Sequence, residues 1–337
     1  MSNKTRNIFF LFGLLSIIVM ILTFDVSFTQ MWEHLRHAGY WLLPIFGMWL
    51  LLYMLNTATW RIIIKGSGDC PISFLRLLKI TITGFALNYA TPCGLMGGEP
   101  YKIMELTPHI GRERATSSVL LFAMMHIFAH FWYWLTAAVL YLLFVPIDTR
   151  MSIILPLMAL FCIAGIYLFT KGYRHGIVTK CISWIGHIPG LKGWVSHFLD
   201  NHHSELENID HQIAHLHSQE KGNFYRSFAL EYFGRLCHSV EIMLCLCILG
   251  ISGTPLQLYF DSLLILSFTS LFANLLFFMP LQLGGREGGF AMSCILVIGP
   301  LVGTNQAMTT AIFISIICRV REILWTLIGL LLMKIKT

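Results

Sequence analysis

The sequence predicts an all-α, polytopic helical membrane protein with two inverted-topology halves, each containing a Gly/Pro-broken, re-entrant helical hairpin. Of its 337 residues, 56% are hydrophobic and 12% are charged, and the mean hydropathy is +0.70. Soluble domains carry about 25% charged residues, so this chain has too little polar surface for a soluble globule. Two similar breaks in the apolar pattern, one near each end of the chain, predict the two halves.

The apolar segments have lengths that suit membrane helices, because about 20 residues cross the hydrocarbon core. A retained first helix precedes a polar loop at 25–39, and a basic segment occupies 61–79. The helix leaving the first break is expected to end at Pro108 and Gly111. The one extended polar region, 171–226, is typical of amphipathic or surface helices. The expected apolar segments are 7–24, 40–59, 74–91, 116–144, 151–170, 227–249, 258–279, 287–298 and 305–333.

The two breaks have similar sequences. The first ends in PCGLMGGE, from Pro92 to Glu99, and the second in PLQLGGRE, from Pro280 to Glu287. Proline and clustered glycines disfavour a continuous helix, and lipid tolerates irregular backbone only beside protein or a water-filled cavity. We therefore expect a single membrane domain over 1–337. Half one covers about 7–145 with its break at 88–99, and half two covers about 151–333 with its break at 274–287.

The positive charges predict the orientation of the chain. With the N-terminus inside, most of the 23 Lys and Arg residues fall on the cytoplasmic side, as the positive-inside rule requires. This places both termini in the cytoplasm and the chain in a bacterial cytoplasmic (inner) membrane. It also makes the first hairpin enter from the cytoplasm and the second from outside. The sequence leaves open whether each hairpin stops midway or crosses the membrane fully, because the following segments have the same orientation in both cases.

Charged residues in the apolar segments mark the candidate site, since each costs about 2.5–3.5 kcal/mol at a helix centre. Glycines allow backbone N–H groups at the start of each exit helix to face a cavity, where they suit an anion such as phosphate. Basic side chains would add positive charge. The candidate substrate-binding residues are Asn88, Pro92, Gly94, Gly97, Gly98, Glu99, Lys102, Arg235, Asn274, Pro280, Gly284, Gly285, Arg286, Glu287 and Arg319.

Two roles are open for the carboxylates that close the breaks. Glu99 and Glu287 lie in the first turns of the exit helices, where they can cap free N–H groups. The alternative is that they bind a proton or a headgroup amine. Glu231 and Arg235 have the i, i+4 spacing of an ion pair on one helix. These charges together predict a polar, hydrated cavity in the membrane.

Several enzyme classes are disfavoured by missing motifs. The chain has no GxxxxGK[ST] phosphate loop and no GxSxG serine elbow. His126 and His130 have metal-ligand spacing, but Ile127 stands where an HExxH motif needs glutamate. No CxxC pair is present among the nine cysteines. We therefore expect no metal, no cofactor, no nucleic-acid partner and no enzymatic activity.

At this point the sequence resembles a known family. Asn88, Thr91-Pro92, Gly94-Leu95 and Gly97-Gly98-Glu99-Pro100 with Lys102 look like the hallmark of the flippase-like membrane domain of lysylphosphatidylglycerol synthases. The residues Pro280, Leu283, Gly285 and Glu287 are similar to that family's second motif, and Arg319 with Gly329 to its last helix. Cys93 and Leu281-Gln282 depart from the family's glycines. The resemblance covers roughly 8–333.

The resemblance implies translocation of a lipid, or handling of its headgroup. Synthase members carry a soluble C-terminal aminoacyl transferase domain, whereas this sequence ends at Thr337, so lysyl transfer is not expected. The expected function is a lipid flippase-like transporter for an anionic phospholipid or polyprenyl-phosphate lipid. The alternatives are a membrane-embedded lipid-modifying transferase and an accessory subunit. A homo-oligomer, or a partner enzyme docked through 171–226, is also open.

Overall fold

The computed structural model of the chain describes residues 28–90, 97–147, 149, 151–175, 221–275 and 285–335. Within these ranges every regular element is helical, which confirms the predicted all-α class. The expected first helix at 7–24 lies outside the described residues, as do both break centres and residues 176–220 of the polar region. Pro92, Gly94, Pro280 and Gly284 therefore also lie outside them.

The helices follow the order of the apolar segments. A short 3₁₀ turn, Gly39–Trp41, joins the first two. The helices are α1 (Phe28–Ala38), α2 (Leu42–Gly66), α3 (Phe74–Ala90), α4 (Gly98–Ile110), α5 (Arg112–Phe144), α6 (Met151–His175), α7 (Lys221–Ile248), α8 (Pro255–Leu275), α9 (Gly285–Val297), α10 (Gly299–Val302) and α11 (Thr304–Lys334).

Four stretches of the described chain are long and apolar enough to cross a membrane: Leu35–Gly66, Arg112–Phe144, Met151–Lys171 and Pro255–Leu275. These contain α2, α5, α6 and α8. Helices α7 and α11 have 28 and 31 residues, and at about 1.5 Å per residue both exceed the hydrocarbon thickness. Because of their charged residues, α7 and α11 are not among the four apolar stretches. The charged residues Arg319, Arg321 and Glu322 of α11 are buried.

Two local expectations were wrong. The segment 25–39 was expected to be a polar loop, but 28–38 forms helix α1. Its Ala38 is buried while Trp32 is exposed, so the helix rests one face on the bundle. Pro108 does not end α4, which continues to Ile110. A proline in the last turn removes one hydrogen bond, and Gly111, with φ +82°, makes the actual break.

Side-chain contacts give the helix directions. On α2 and α7, Trp49 contacts Glu241 and Leu55 lies beside Gly234, so these helices are antiparallel. Helix α3 begins where α2 ends, and α8 begins where α7 ends. The helix pairs α3–α4 and α8–α9 therefore enter the bundle from opposite ends.

The packing partners recur in the two parts of the chain. Helix α3 packs against α11 and α8 packs against α5, while α4 packs against α5 and α9 against α11. Gly111 and Gly303 precede α5 and α11 with nearly equal backbone angles, φ 82° and 85° with ψ 158° and 155°. The recurrence is what an internal repeat would produce. The division into two halves and the re-entrant geometry stay predictions.

Close helix contacts depend on small residues. A Cβ built on Gly329 of α11 would lie 2.5 Å from Ala86 Cβ and 3.0 Å from the carbonyl oxygen of Ile82. Thr83 Oγ1 also donates to the carbonyl oxygen of Gly329 at 3.1 Å. Between α8 and α9, a Cβ on Gly289 of α9 would lie 3.2 Å from Thr269 Cα of α8. Backbones approach this closely in membrane proteins where the interface lacks side-chain bulk.

We expect Gly329→Ala to lower the free energy of unfolding by about 1–3 kcal/mol, because the new methyl group has no room against α3. Denaturant titration of the detergent-solubilised protein measures the change. Gly47→Ala is the matched control, since nothing lies within 4 Å of its added Cβ. An equal effect of the two substitutions would contradict the packing described here.

Candidate functional site

Both breaks flank one cavity of about 560 Å³ inside the bundle. From the first break come Asn88, Glu99 and Lys102, and from the second come Asn274 and Arg286. Helices α5, α7 and α11 contribute further charged or polar side chains to the wall. Arg235 and Arg319 are among their contributions, so the structure brings together most of the expected site residues that it describes. Gly97, Gly98 and Gly285 are buried at the adjoining helix starts.

The first break is closed by an amide. Asn88 Oδ1 accepts a hydrogen bond from the Gly98 backbone N–H at 2.8 Å, and Asn88 Nδ2 donates to Glu99 Oε1 at 3.0 Å. Asn88 therefore caps the start of α4, and the described contacts of Glu99 are with Asn88 and Lys102. A Cβ on Gly98 would lie 2.1 Å from the carbonyl oxygen of Gly84. Glycine is needed at this position because α3 and α4 nearly touch there.

Lys102 is 1% exposed, less than any other charged residue that lines the cavity. Its ammonium lies 3.1 and 3.3 Å from the two carboxylate oxygens of Glu99. The rings of Phe85 and Phe122 lie 4.9 and 5.1 Å from it. Aromatic faces attract cations, so Glu99 and these rings together offset the cost of burying the charge.

The second break is tied to α11 by arginine–carboxylate pairs. Arg286 forms a bidentate ion pair with Glu322, with Nη2 2.8 Å from Oε2. Arg319 donates to Glu287 Oε1 through Nε at 2.9 Å and Nη2 at 2.7 Å. The planar guanidinium group suits such paired contacts, which fix the register of α9 against α11. Asn274 is exposed and donates to the Ser270 carbonyl oxygen at 2.7 Å.

A third group of charges lies between α2, α7 and α11, and sequence reasoning missed its central residue, Glu241. Arg321 Nε lies 2.9 Å from Glu241 Oε1, and the Trp49 indole donates to Glu241 Oε2 at 3.0 Å. His238 Nε2 lies 3.2 Å from the same oxygen. The signal was present, because Glu241 is a carboxylate in an apolar run three residues after His238.

Helices α5 and α7 meet through a histidine. His126 Nδ1 lies 2.9 Å from Glu231 Oε2, and its Nε2 contacts Arg235 Nη2. The expected direct pair between Glu231 and Arg235 is absent from the described contacts, because the Arg235 side chain reaches across to α5. Glu231 Oε1 is buried with no hydrogen-bond partner among the described residues.

The cations and carboxylates of this network balance in number. Lys102 is paired with Glu99, Arg286 with Glu322, Arg319 with Glu287 and Arg321 with Glu241, while Arg235 reaches Glu231 through His126. Removing one partner of a buried pair leaves an uncompensated charge, which costs about 3–5 kcal/mol.

The remainder of the cavity wall is apolar. Its side chains come from α5, α6 and α8, and they include Phe131, Trp134, Phe161, Leu271 and Leu275. Trp134 is held in place because its indole donates to Ser270 Oγ at 2.8 Å. One cavity thus has a charged part beside the breaks and an aromatic, aliphatic part towards α6 and α8. Such a wall is suited to an amphiphile.

We expect Glu322→Gln to lower the free energy of unfolding by about 3–5 kcal/mol, because Arg286, Arg319 and Arg321 all lie within 4 Å of this carboxylate. Denaturant titration in detergent measures it. Adding Arg286→Gln should restore part of the loss, since one unpaired charge is removed. The exposed Glu33→Gln is the control, with an expected change below about 0.5 kcal/mol. Full stability of the Glu322→Gln variant would contradict a structural role for the pairs.

Comparison with known proteins gives one result. The protein-family model of the lysylphosphatidylglycerol synthase TM region matches residues 10–318. This range contains both breaks and ends just before Arg319, so the similarity noted for Arg319 and Gly329 lies beyond it. No curated protein and no solved structure matches the chain. Because the matched range covers most of the 337 residues, the chain is a multi-pass membrane protein that belongs to the lysylphosphatidylglycerol synthase TM region family.

Proposed function

We propose that this protein is a flippase-like transporter that moves an anionic lipid, a phospholipid or a polyprenyl phosphate, between the leaflets of a bacterial cytoplasmic membrane. The observation that carries the proposal is the shared cavity: the flanks of both breaks line a single space with a charged part and an apolar part. Paired helix breaks around one site are typical of transporters built from repeats.

The size and chemistry of the cavity suit a lipid headgroup. A volume of about 560 Å³ lies within the range of about 300–1,000 Å³ found for small-molecule pockets. A phosphate would contact the charged part, and the first carbons of the acyl chains would contact Phe131, Trp134 and Phe161. The longer chains would stay in the bilayer, where they need no protein cover.

Two helix starts favour an anion. Helices α4 and α9, each of 13 residues, begin beside the cavity, and the positive dipole end at a helix N-terminus favours an anion. Arg286 and Arg319 have further N–H donors beyond those used by Glu322 and Glu287, since a guanidinium group carries five. A phosphate can therefore join these pairs without breaking them completely.

The opposite entry of α3–α4 and α8–α9 supports an inverted-topology mechanism. In such a mechanism one helix pair opens the cavity to the cytoplasmic leaflet and the other opens it to the outer leaflet. Both termini would be cytoplasmic, with the first pair entering from the cytoplasm. The polar region 171–226 is then available on the cytoplasmic side for a second copy or a partner enzyme.

We expect purified wild-type protein in liposomes to exchange a labelled anionic lipid between leaflets. Glu287→Gln, Glu99→Gln and Arg319→Ala should each slow the exchange about ten- to a hundredfold. Each substitution removes a charge-assisted hydrogen bond from an ion pair at the cavity, and such a bond contributes about 1.5–3 kcal/mol. A fluorescence-quenching assay on labelled phosphatidylglycerol, phosphatidylcholine and a polyprenyl phosphate measures the rate and the headgroup preference.

Arg112→Ala and Glu33→Gln are the matched controls, since both side chains are exposed and neither lines the cavity. They should exchange lipid at the wild-type rate. Absence of exchange for every lipid by correctly folded protein would reject the transporter. A covalent change in an added lipid would then favour the transferase, and loss of function on deletion of 176–220 would favour the accessory subunit.

A further inference from the structure

His126 is held between an arginine and a carboxylate in a way that fixes its protonation state. Arginine has only donors, so Arg235 Nη2 donates to His126 Nε2, which must carry the lone pair. The ring proton is therefore on Nδ1, which donates to Glu231 Oε2 at 2.9 Å. In this arrangement His126 is neutral, and its one basic nitrogen is occupied by Arg235.

We infer that His126 is a proton-binding site that couples proton movement to the movement of the anionic lipid. The inference rests on the proposed function and adds its energy source. Arg235 and His126 both line the headgroup cavity. An anion that enters attracts the Arg235 guanidinium, and Nε2 of His126 then loses its donor. A proton can bind there.

Charge balance favours this exchange. In the empty site, Arg235 compensates Glu231 through the neutral histidine. When the anion takes Arg235 as its partner, Glu231 is left as an uncompensated buried carboxylate, 5% exposed. Binding one proton to His126 creates an imidazolium beside Glu231 Oε2 and restores neutrality. One anion and one proton would therefore occupy the site together.

The other carboxylates near the cavity are less suited to this task. Glu99, Glu241, Glu287 and Glu322 are each in direct contact with a lysine or an arginine. Such a cation favours the ionised carboxylate whether or not the anion is present. Glu231 instead contacts His126, a neutral imidazole that can take up a proton.

The surroundings of His126 support the same assignment. The charged and titratable residues that share its two cavities are Tyr53 of α2, Tyr89 of α3, Glu99 and Lys102 of α4, His130 of α5, Glu231, Arg235 and His238 of α7, and Arg286, Cys318, Arg319, Arg321 and Glu322 across the larger cavity. Helices α6 and α8 contribute no charged side chain to either wall. His238 is bound to Glu241, and Lys102 to Glu99.

A second, smaller cavity gives the proton a route. It has a volume of about 120 Å³, lies between α2, α3, α5 and α7, and includes His126, Glu231 and Asn56 in its wall. Two buried acceptors, Glu231 Oε1 and Asn56 Oδ1, have no partner among the described residues. Asn56 Nδ2 donates to the Leu52 carbonyl oxygen at 2.8 Å, which fixes the orientation of the amide. The space and the two acceptors suit water molecules that conduct a proton.

The coupling has a defined sign and magnitude. A monoanionic lipid and a proton move together without net charge, so a membrane potential should not affect their distribution. At equilibrium, each unit of pH difference should shift the leaflet ratio of the lipid about tenfold, towards the alkaline side.

The test uses wild-type protein in liposomes with labelled phosphatidylglycerol, an imposed pH difference of about one unit and a pH dye in the lumen. His126→Gln is the informative variant, because glutamine can donate to Glu231 and accept from Arg235 but does not titrate. It should still exchange lipid, more slowly, with equal leaflet ratios at any pH difference and no lipid-dependent dye signal. Glu231→Gln should uncouple in the same way. His109→Gln, in the last turn of α4, is the matched control.

The outcomes separate the two proposals. A pH-driven wild-type leaflet ratio that both uncoupled variants lose would support the inference. A wild-type ratio that ignores pH, or a His126→Gln protein that still follows it, would overturn the inference and leave the transporter intact. Absence of exchange by the wild type at every pH, with the lipid panel of the preceding section, would reject the transporter itself.

Discussion

Buried charge is the constraint on which the rest of this structure depends. In a medium of low dielectric constant, each ionised side chain needs an opposite charge at short distance. Glu322 illustrates the consequence, because Arg286 from α9 and Arg319 and Arg321 from its own helix all converge on it. The position of α9 is thereby determined by α11, and α11 in turn by Glu241 of α7. Neutral helices of the same shape would lack the ion pairs that fix the register of α9 against α11.

The two breaks are stabilised in different ways. At the first, Asn88, Gly98 and Glu99 bond to one another, so α3 and α4 close their own tip. At the second, Arg286 is held by a residue of α11, a helix outside the pair. Movement of α8–α9 relative to α11 must therefore exchange ion pairs, whereas the contacts that close the first break lie within α3–α4. The two helix pairs therefore have similar places in the bundle, but different interactions stabilise them.

The cavity combines two requirements that usually conflict. In the proposed transporter it must attract a charged headgroup, and it must not hold that headgroup so tightly that it cannot leave. Cations that already have carboxylate partners satisfy both, because an entering phosphate replaces part of an existing interaction instead of neutralising a free charge. The contact of Arg235 with His126 belongs to the same pattern. In the coupling that we infer, the displaced partner is neutral and can accept a proton, which would link occupancy of the site to protonation.

The sequence by itself determined the all-α membrane class and the order of most helices that the structure describes, and it predicted the two breaks. These features depend on composition and on proline and glycine, whose effects are local. It also placed Glu99, Lys102, Arg286 and Arg319 near the site, because charges are costly in apolar segments. Only the tertiary structure decided which charges are partners. Arg319 pairs with Glu287 across two helices, and His126 separates Glu231 from Arg235, since pairing depends on helix directions and rotations that no local pattern specifies.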